Sequence, residues 1–282
     1  LLIGGTSDRG VVAACSYEAR AFGIHSAMPM KMAKKLCPDA IVLHGNSATY
    51  SKHSQDVTDI IRETVPLYEK SSVDEFYIDL TGIDKFHGCQ KMASELRQRI
   101  IKETGLPISY GLSSNKTVSK IATSEAKPNN QIQIFKGDEK SFLAPLSVRK
   151  IPMVGEKTYR SLCDLGIQQI QTIQEMPIKM MAKVFGENGI RIWKKANGID
   201  LTPVIPYQER KSISTERTFD TDTIDVDKLK TILVAMAENL IFQLRRGNKL
   251  SACITVKIRY SDFQTYTLQK RIPYSASDQI IL

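Results

Sequence analysis

Ser71-Ser72-Val73-Asp74-Glu75-Phe76-Tyr77-Ile78-Asp79-Leu80-Thr81-Gly82 decides the reading of this chain, because it sets two adjacent carboxylates at the head of a strand with one apolar face. Phe76, Ile78 and Leu80 alternate with Tyr77 and Asp79, the period-two pattern of a strand packed on a core, and Thr81-Gly82 closes it. Adjacent side chains of a straight strand point to opposite faces. Asp74 and Glu75 therefore reach one ion only if the chain turns there, as the small, polar Ser71-Ser72 permits. Hard oxygen ligands of this kind suit Mg²⁺, which takes few protein carboxylates and shares phosphate oxygens. Taken alone, an Asp-Glu pair at a solvated strand end is common and carries no function.

The 282 residues are enough for about two domains. A net charge of +9 and a pI near 9.2 point mildly to a polyanionic partner. Five cysteines are scattered without a C-x-x-C pair and with an odd total, which fits reduced thiols in a cytosol better than a disulfide framework and argues against a zinc site. No apolar run reaches the roughly 18 residues of a spanning helix, and no signal peptide is legible. The chain reads as cytoplasmic, with no membrane partner. It opens on Leu1-Leu2-Ile3-Gly4-Gly5, which reads as a strand and its exit turn, so the natural start is expected upstream.

Taken in order, Val11-Val12-Ala13-Ala14 predicts a short buried strand, and Tyr17-Glu18-Ala19-Arg20 a loop or helical turn ending at Gly23. Arg20 can clamp a phosphate with two bonds and Tyr17 can donate a hydroxyl to it; an unliganded surface Arg beside a half-buried Tyr is the plainer alternative. Ser26-Ala27-Met28-Pro29 predicts a tight turn before a helix over Met30 to Leu36, with Pro29 in its first turn. Val57, Ile60, Ile61 and Val65, then Met92, Leu96 and Ile100, recur at helical spacing and predict two helices on one sheet. Ile108, Tyr110 and Leu112 alternate as another strand, giving a compact α+β unit around the carboxylates.

From Asn115 a helix begins with Lys116 and Lys120 on one face, an arrangement that is usually just solvated. Pro128 halts it and holds Lys127 at its end. Val148 to Thr158, then Leu162 to Gly166, predicts two short helices joined by a Gly-containing turn. The turn amides and Lys157 are suited to a phosphate, and an ordinary helical hairpin is the alternative. Pro203 to Arg210 reads as a linker. Beyond it, Lys211 to Phe219 predicts a strand, and Leu229 to Leu244 an amphipathic helix stopped by Gly247. Leu250 to Arg259 predicts a strand with Lys257 and Arg259 on its exposed face, either a solvated surface or a seat for a phosphate backbone.

Cys15 to Pro29, the Asp74-Glu75 strand, Gly111-Leu112-Ser113-Ser114-Asn115-Lys116 and Glu125-Ala126-Lys127-Pro128-Asn129, in this order, resemble the Y-family translesion DNA polymerases, most closely their bacterial polymerase IV branch. The resemblance runs over essentially the whole chain. It implies a multidomain α+β fold: fingers with a residual palm strand at 1–48, a palm of antiparallel sheet and helices at 49–137, and a helical thumb with a helix-hairpin-helix at 138–207. A linker at 208–212 and an α/β little finger at 213–282, expected to be truncated, complete it.

The activity implied is template-directed, low-fidelity addition of deoxynucleotides to a primer 3′ end in DNA damage tolerance. Asp74 and Glu75 are expected to hold two Mg²⁺ ions as the catalytic pair. Tyr17, Arg20 and Lys127 are expected on the nucleotide triphosphate, and a small side chain at Ser26 or Ala27 is expected to leave room at the nascent base pair. DNA contacts are expected at Ser26, Gly155, Lys157, Lys211, Arg217, Lys257 and Arg259. Met153 departs from the family, in which many members carry Gly. One further family aspartate, followed by an aromatic residue that excludes ribonucleotides, is not in this sequence and is expected before Leu1. Partners implied are primer-template DNA, deoxynucleoside triphosphates and, through residues beyond Leu282, a sliding clamp; the chain is expected to be a monomer. A non-catalytic DNA-binding relative and a nucleotide-cyclase palm are the alternatives; a cyclase needs no duplex grip.

Overall fold

A computed structural model describes residues 1–7, 9–83, 88–206 and 209–281. Two compact units form: Leu1–Gly45 with Glu209–Leu282, and Asn46–Gln208.

In the first unit, β1 (Leu2–Gly4) pairs antiparallel with β2 (Val12–Cys15). Helices α1 (Tyr17–Ala21) and α2 (Met30–Leu36) follow, and β3 (Val42–Leu43) adds to β1 in parallel. Leu2, Val12, Ile24, Met30 and Ala33 form its core. The strand expected over Val11–Ala14 is shifted by one residue and is only partly buried. Val12 faces the core, whereas Val11 is exposed and bridges Pro29. Pro29 precedes α2 as its N-cap residue rather than lying inside its first turn; it lacks an N–H and leaves its carbonyl to accept from Ala33.

The second unit opens with α3 (Ser47–Thr64), whose N-cap Asn46 accepts from the Thr49 amide. Strands β4 (Tyr68–Lys70) and β5 (Phe76–Ile78) pair antiparallel, α4 (Cys89–Thr104) follows, and Val57, Ile60, Ile61, Leu96 and Ile100 bury between the two helices. Tyr68, Phe76, Ile78 and Leu80 pack on that cluster, so the alternation read from the sequence does turn one face of the carboxylate strand inward. Regular pairing in β5 ends two residues earlier than that alternation. Next, β6 (Tyr110–Leu112), α5 (Lys116–Ala126) and β7 (Gln131–Gln133) form a unit in which the two strands run parallel.

Gly111 lets β6 lie directly on α5. A Cβ there would come within 2.4 Å of the Ser119 carbonyl oxygen and 2.6 Å of the Ala122 Cβ. Two bonds fasten the contact, Gly111 N–H to Thr123 Oγ1 (2.8 Å) and the Ser119 hydroxyl to Gly111 O (2.5 Å). The opposite side of α5 supplies Val118 and Ile121 to a larger core with Leu143, Ile151, Leu162, Ile173 and Ile192. Each such buried side chain contributes about 1.5–3 kcal/mol, which anchors α5 in that core.

That larger core is built by α6 (Glu139–Leu143), a 3₁₀ turn at Val148–Lys150, α7 (Glu156–Asp164), α8 (Ile170–Glu175) and α9 (Ile178–Ala196), which breaks at Gly186. The first helix expected in the hairpin is thus only a three-residue 3₁₀ turn. Residues Tyr207 and Gln208, inside the expected linker, lie outside the described residues.

In the first unit, residues 209 to 225 adopt neither helix nor strand. This corrects the strand expected over Lys211–Phe219: alternation needs a neighbouring edge to complete a ladder, and no described residue supplies one. The segment is held by side chains instead, with Arg9 donating to Phe219 O (3.2 Å) and Asp222 Oδ1 (2.8 Å). Helix α10 (Val226–Arg246) begins at Asp225, which caps the Lys228 amide, and ends at Gly247 as expected. Strands β8 (Ser251–Arg259) and β9 (Thr265–Ser275) pair antiparallel, and α11 (Asp278–Ile281) follows. The five cysteines are unpaired, and no helix among the described residues is long and apolar enough to cross a membrane.

Candidate active site

The turn required between Asp74 and Glu75 is present, and Ser72 makes it. Its Oγ accepts from the amides of Asp74 (3.3 Å) and Glu75 (3.1 Å), and its hydroxyl donates to Asp74 Oδ1 (2.6 Å). The Ser71 amide closes the turn on Glu75 O at 2.9 Å. Because Phe76 and Ile78 face the core, alternation sends Glu75 and Tyr77 to the other side of β5. That side meets α5. Lys120 Nζ lies 2.6 Å from Glu75 Oε2, and Lys116 Nζ sits 4.7 Å from the centre of the Tyr77 ring.

Lys116 is not solvated as a bare helical pair would be. It bonds Glu69 Oε2 at 2.7 Å with both side chains nearly buried, 15% and 13% exposed, and it also donates to Pro203 O. Glu69 stands opposite Tyr77 in the β4–β5 register and takes a second bond from the Ile205 amide (2.8 Å). Burial pushes the Glu69 carboxyl up, but the bonds from Lys116 and Ile205 outweigh it and hold the group below its ordinary range. Asp200 behaves alike: burial raises it, while Thr202 and Thr117 bring it down, the Thr117 hydroxyl at 2.7 Å. Burial would lower Lys120, but the bond to Glu75 together with the nearby Tyr77 and Asp74 outweighs it and raises the group. Lys195, half-buried, is lowered by burial and by Lys120, against the pull of Asp200.

Lys127 is the C-cap of α5 and is exposed. Eleven positions after Lys116, it falls within about 20° of that residue on a helical wheel, so the three lysines share a side up to the last turn. In the other unit, Ser16 caps α1 by accepting from Ala19 N–H, and it presents Tyr17 and Arg20 outward one turn apart, with the guanidinium 5.9 Å from the ring centre. Tyr17 is 54% exposed, so it is not the half-buried residue the sequence allowed. Ser26 is exposed beside Ala27, whose φ of 69° forms the tight turn.

At the hairpin, Met153 takes φ 83°, the conformation for which glycine is the natural choice. The Val154 and Gly155 amides already bond Ile151 O and Met153 O, so the expected phosphate seat narrows to the first amides of α7 with Lys157. Lys211 and Arg217 lie in the irregular, exposed segment. Lys257 is not a free surface cation: it pairs with Glu216, and Arg259 donates to Thr265 Oγ1 at 3.1 Å.

Asp74 and Glu75 present hard oxygens that fit a divalent cation, and no cluster of three His, Cys, Asp or Glu occurs among the described residues. Glu69, Asp200 and the role of Lys120 were missed from the sequence. Spacing of Lys116 and Lys120 was the available signal for the last, while Glu69 and Asp200 gave none, being brought in from a separate strand and a helix exit.

The model of the impB/mucB/samB family matches residues 1–124, and that of its C-terminal domain matches residues 210–282. DNA polymerase IV of Dehalococcoides mccartyi is 40% identical over 279 residues, covering 98% of this chain and 72% of that protein. The chain belongs to the Y-family DNA polymerases of the DNA polymerase IV type. DNA polymerase IV 2 of Methanosarcina mazei is 36% identical over 279 residues, covering 99% of this chain and 76% of its own. Among solved structures, a Y-family DNA polymerase chimera, Dbh-Dpo4(243-245)-Dbh, matches with a TM-score of 0.85 at 25% identity, over 99% of this chain and 82% of that one. DinB from Sulfolobus solfataricus shares the fold at a TM-score of 0.68 and 24% identity, with the same coverage. Family membership decides for the polymerase over the cyclase palm.

Proposed function

We propose that the chain extends a primer 3′ end on a DNA template in translesion synthesis. The 3′-hydroxyl oxygen bonds to the α-phosphorus of a deoxynucleoside triphosphate, the bond from that phosphorus to the bridging oxygen breaks, and pyrophosphate leaves. The observation that carries this reading is the meeting of Glu75 on β5 with Lys120 of α5, the helix that ends at the exposed Lys127. A carboxylate pair for a cation is thus held by the same helix that offers a lysine for phosphate, as phosphoryl transfer by positioning and electrostatics requires.

Asp74 and Glu75 are the residues proposed to hold two Mg²⁺ ions. Bound there, such ions polarise phosphoryl oxygens and neutralise charge on them. Glu75 is further proposed to take the proton of the attacking hydroxyl. Lys127 neutralises charge developing on the departing pyrophosphate, and Tyr17 and Arg20 grip the triphosphate. Ser26, with its small side chain, leaves room at the nascent base pair. At the hairpin Lys157, with the first amides of α7 that follow Gly155, and within residues 209–282 Lys211, Arg217, Lys257 and Arg259, are proposed on the DNA backbone. The assignments of fingers, palm, thumb, linker and little finger given above belong to the same proposal, as do a monomeric state, a cytoplasmic location and a sliding-clamp partner.

Primer extension with parallel DNA-binding measurements tests the catalytic pair. Asp74→Ala or Glu75→Ala is expected to abolish nucleotide addition nearly completely while primer-template affinity holds. Normal extension by both variants removes the pair from the mechanism.

A further inference from the structure

Beside the hairpin turn lies a charge cluster that the proposed DNA contacts leave out. Arg149, in the 3₁₀ turn before Met153, and Arg160, one turn into α7, both donate to the single carboxylate of Glu156. Arg160 Nε reaches Oε1 at 2.9 Å, and Arg149 Nη2 bonds Oε2. The Arg149 guanidinium lies 4.3 Å from the centre of the Tyr159 ring, which holds it in place. All three charged side chains are exposed, Arg160 the most at 75%. The Glu156 carboxyl is held below its ordinary range, first by the bond from Arg160. Lys157, the next residue, has no ion pair among the described residues.

We propose that Glu156 occupies Arg149 and Arg160 as an internal stand-in for phosphate, and that both guanidiniums pass from it to backbone phosphates of the primer-template duplex. This rests on the reading of primer-template DNA as the partner. A carboxylate and a phosphate both offer a guanidinium anionic oxygen acceptors, so the arginines can exchange one for the other. Exposed ion pairs of this kind hold weakly, so the exchange is nearly balanced. Stacking on Tyr159 and the two bonds to Glu156 keep the guanidiniums ordered before DNA arrives, which lowers the ordering cost of binding. The carboxylate left behind keeps a negative charge beside the duplex and moderates the affinity.

Fluorescence anisotropy with a labelled primer-template, over a series of salt concentrations, tests the exchange. Glu156→Gln keeps the size of the side chain and removes the competing charge. It is expected to bind about three- to ten-fold more tightly at low salt. The slope of log affinity against log salt is expected to steepen by up to about 0.9. Arg149→Ala with Arg160→Ala is expected to bind more weakly with a shallower slope, and adding Glu156→Gln to that pair is expected to gain nothing. Unchanged or weaker binding by Glu156→Gln overturns the proposal. So does an equal gain in both backgrounds, which would make Glu156 a matter of net charge alone. Primer extension separates the two levels: an extending wild type with an indifferent Glu156→Gln sinks the exchange and leaves the polymerase reading standing.

Discussion

Lys120 Nζ and Glu75 Oε2 stand 2.6 Å apart, so the carboxylate proposed for catalysis is held by a lysine from the neighbouring helix. Gly111 lets β6 lie flat on α5 and the core beneath α5 anchors that helix, while its polar side carries Lys120 to Glu75 and Lys116 to Glu69. Lys120→Met is expected to lower kcat by roughly ten- to a hundred-fold while DNA affinity changes little, because the loss falls on the orientation of Glu75. Single-turnover kinetics beside equilibrium binding reads it. An unchanged kcat would make this an ordinary exposed ion pair.

The nearly buried Glu69–Lys116 pair is structural. Glu69→Gln leaves the Lys116 ammonium without its counter-charge and is expected to cost about 1–3 kcal/mol of stability in chemical denaturation. Glu69 is lowered on folding, so its contribution is complete above its ordinary value of 4.5 and is lost as the pH falls through the folded value. The gap between wild type and Glu69→Gln should therefore be widest near neutrality and close in acid. A gap that widens as the pH falls would contradict this.

Met153→Gly relieves a positive φ of 83° at an exposed position. Gains of about 1–2 kcal/mol are expected from the left-handed conformation, less the added freedom of glycine in the unfolded chain. Thermal melting of the two proteins decides, and a loss of stability would mean the Met153 side chain packs in a way that its exposure does not show.

Arg20→Ala and Lys127→Ala are expected to raise the apparent KM of every deoxynucleotide alike, by about 1.5–3 kcal/mol for the removal of a charge-assisted bond. Steady-state kinetics with each of the four nucleotides checks this. A penalty confined to one base would assign these residues to base reading.

Lys257 and Arg259 are better tested by neutralisation than by removing their domain, since the unit that holds them also contains the N-terminal strands and the Arg9–Asp222 ion pair. Changing both to Gln should flatten the slope of log affinity against log salt by about 0.9 for each DNA phosphate that is no longer neutralised. Because Lys257 already pairs with Glu216, Arg259 alone is expected to carry the larger share. An identical slope would leave the β8 face as plain solvated surface.

Local rules were enough for part of this molecule. The period of Phe76, Ile78 and Leu80 placed the carboxylate strand with one face inward, Ser71-Ser72 announced its turn, and Pro128 marked the end of α5 at Lys127. In each case the cause lies within a few residues: pleat alternation, a hydroxyl within reach of the following amides, a ring that disfavours helix in the residue before it. The expected strand over Lys211–Phe219 failed for the complementary reason, since alternation describes a face and a ladder needs a partner that sequence spacing does not supply. Glu75 with Lys120, Glu69 with Lys116 and Asp200 with Thr117 are separated by 45, 47 and 83 positions. No periodicity reaches so far along a chain. These pairs exist only because the burial of α5 brings its polar side against β4, β5 and the exit of α9, where a half-buried charge is stable only with a partner.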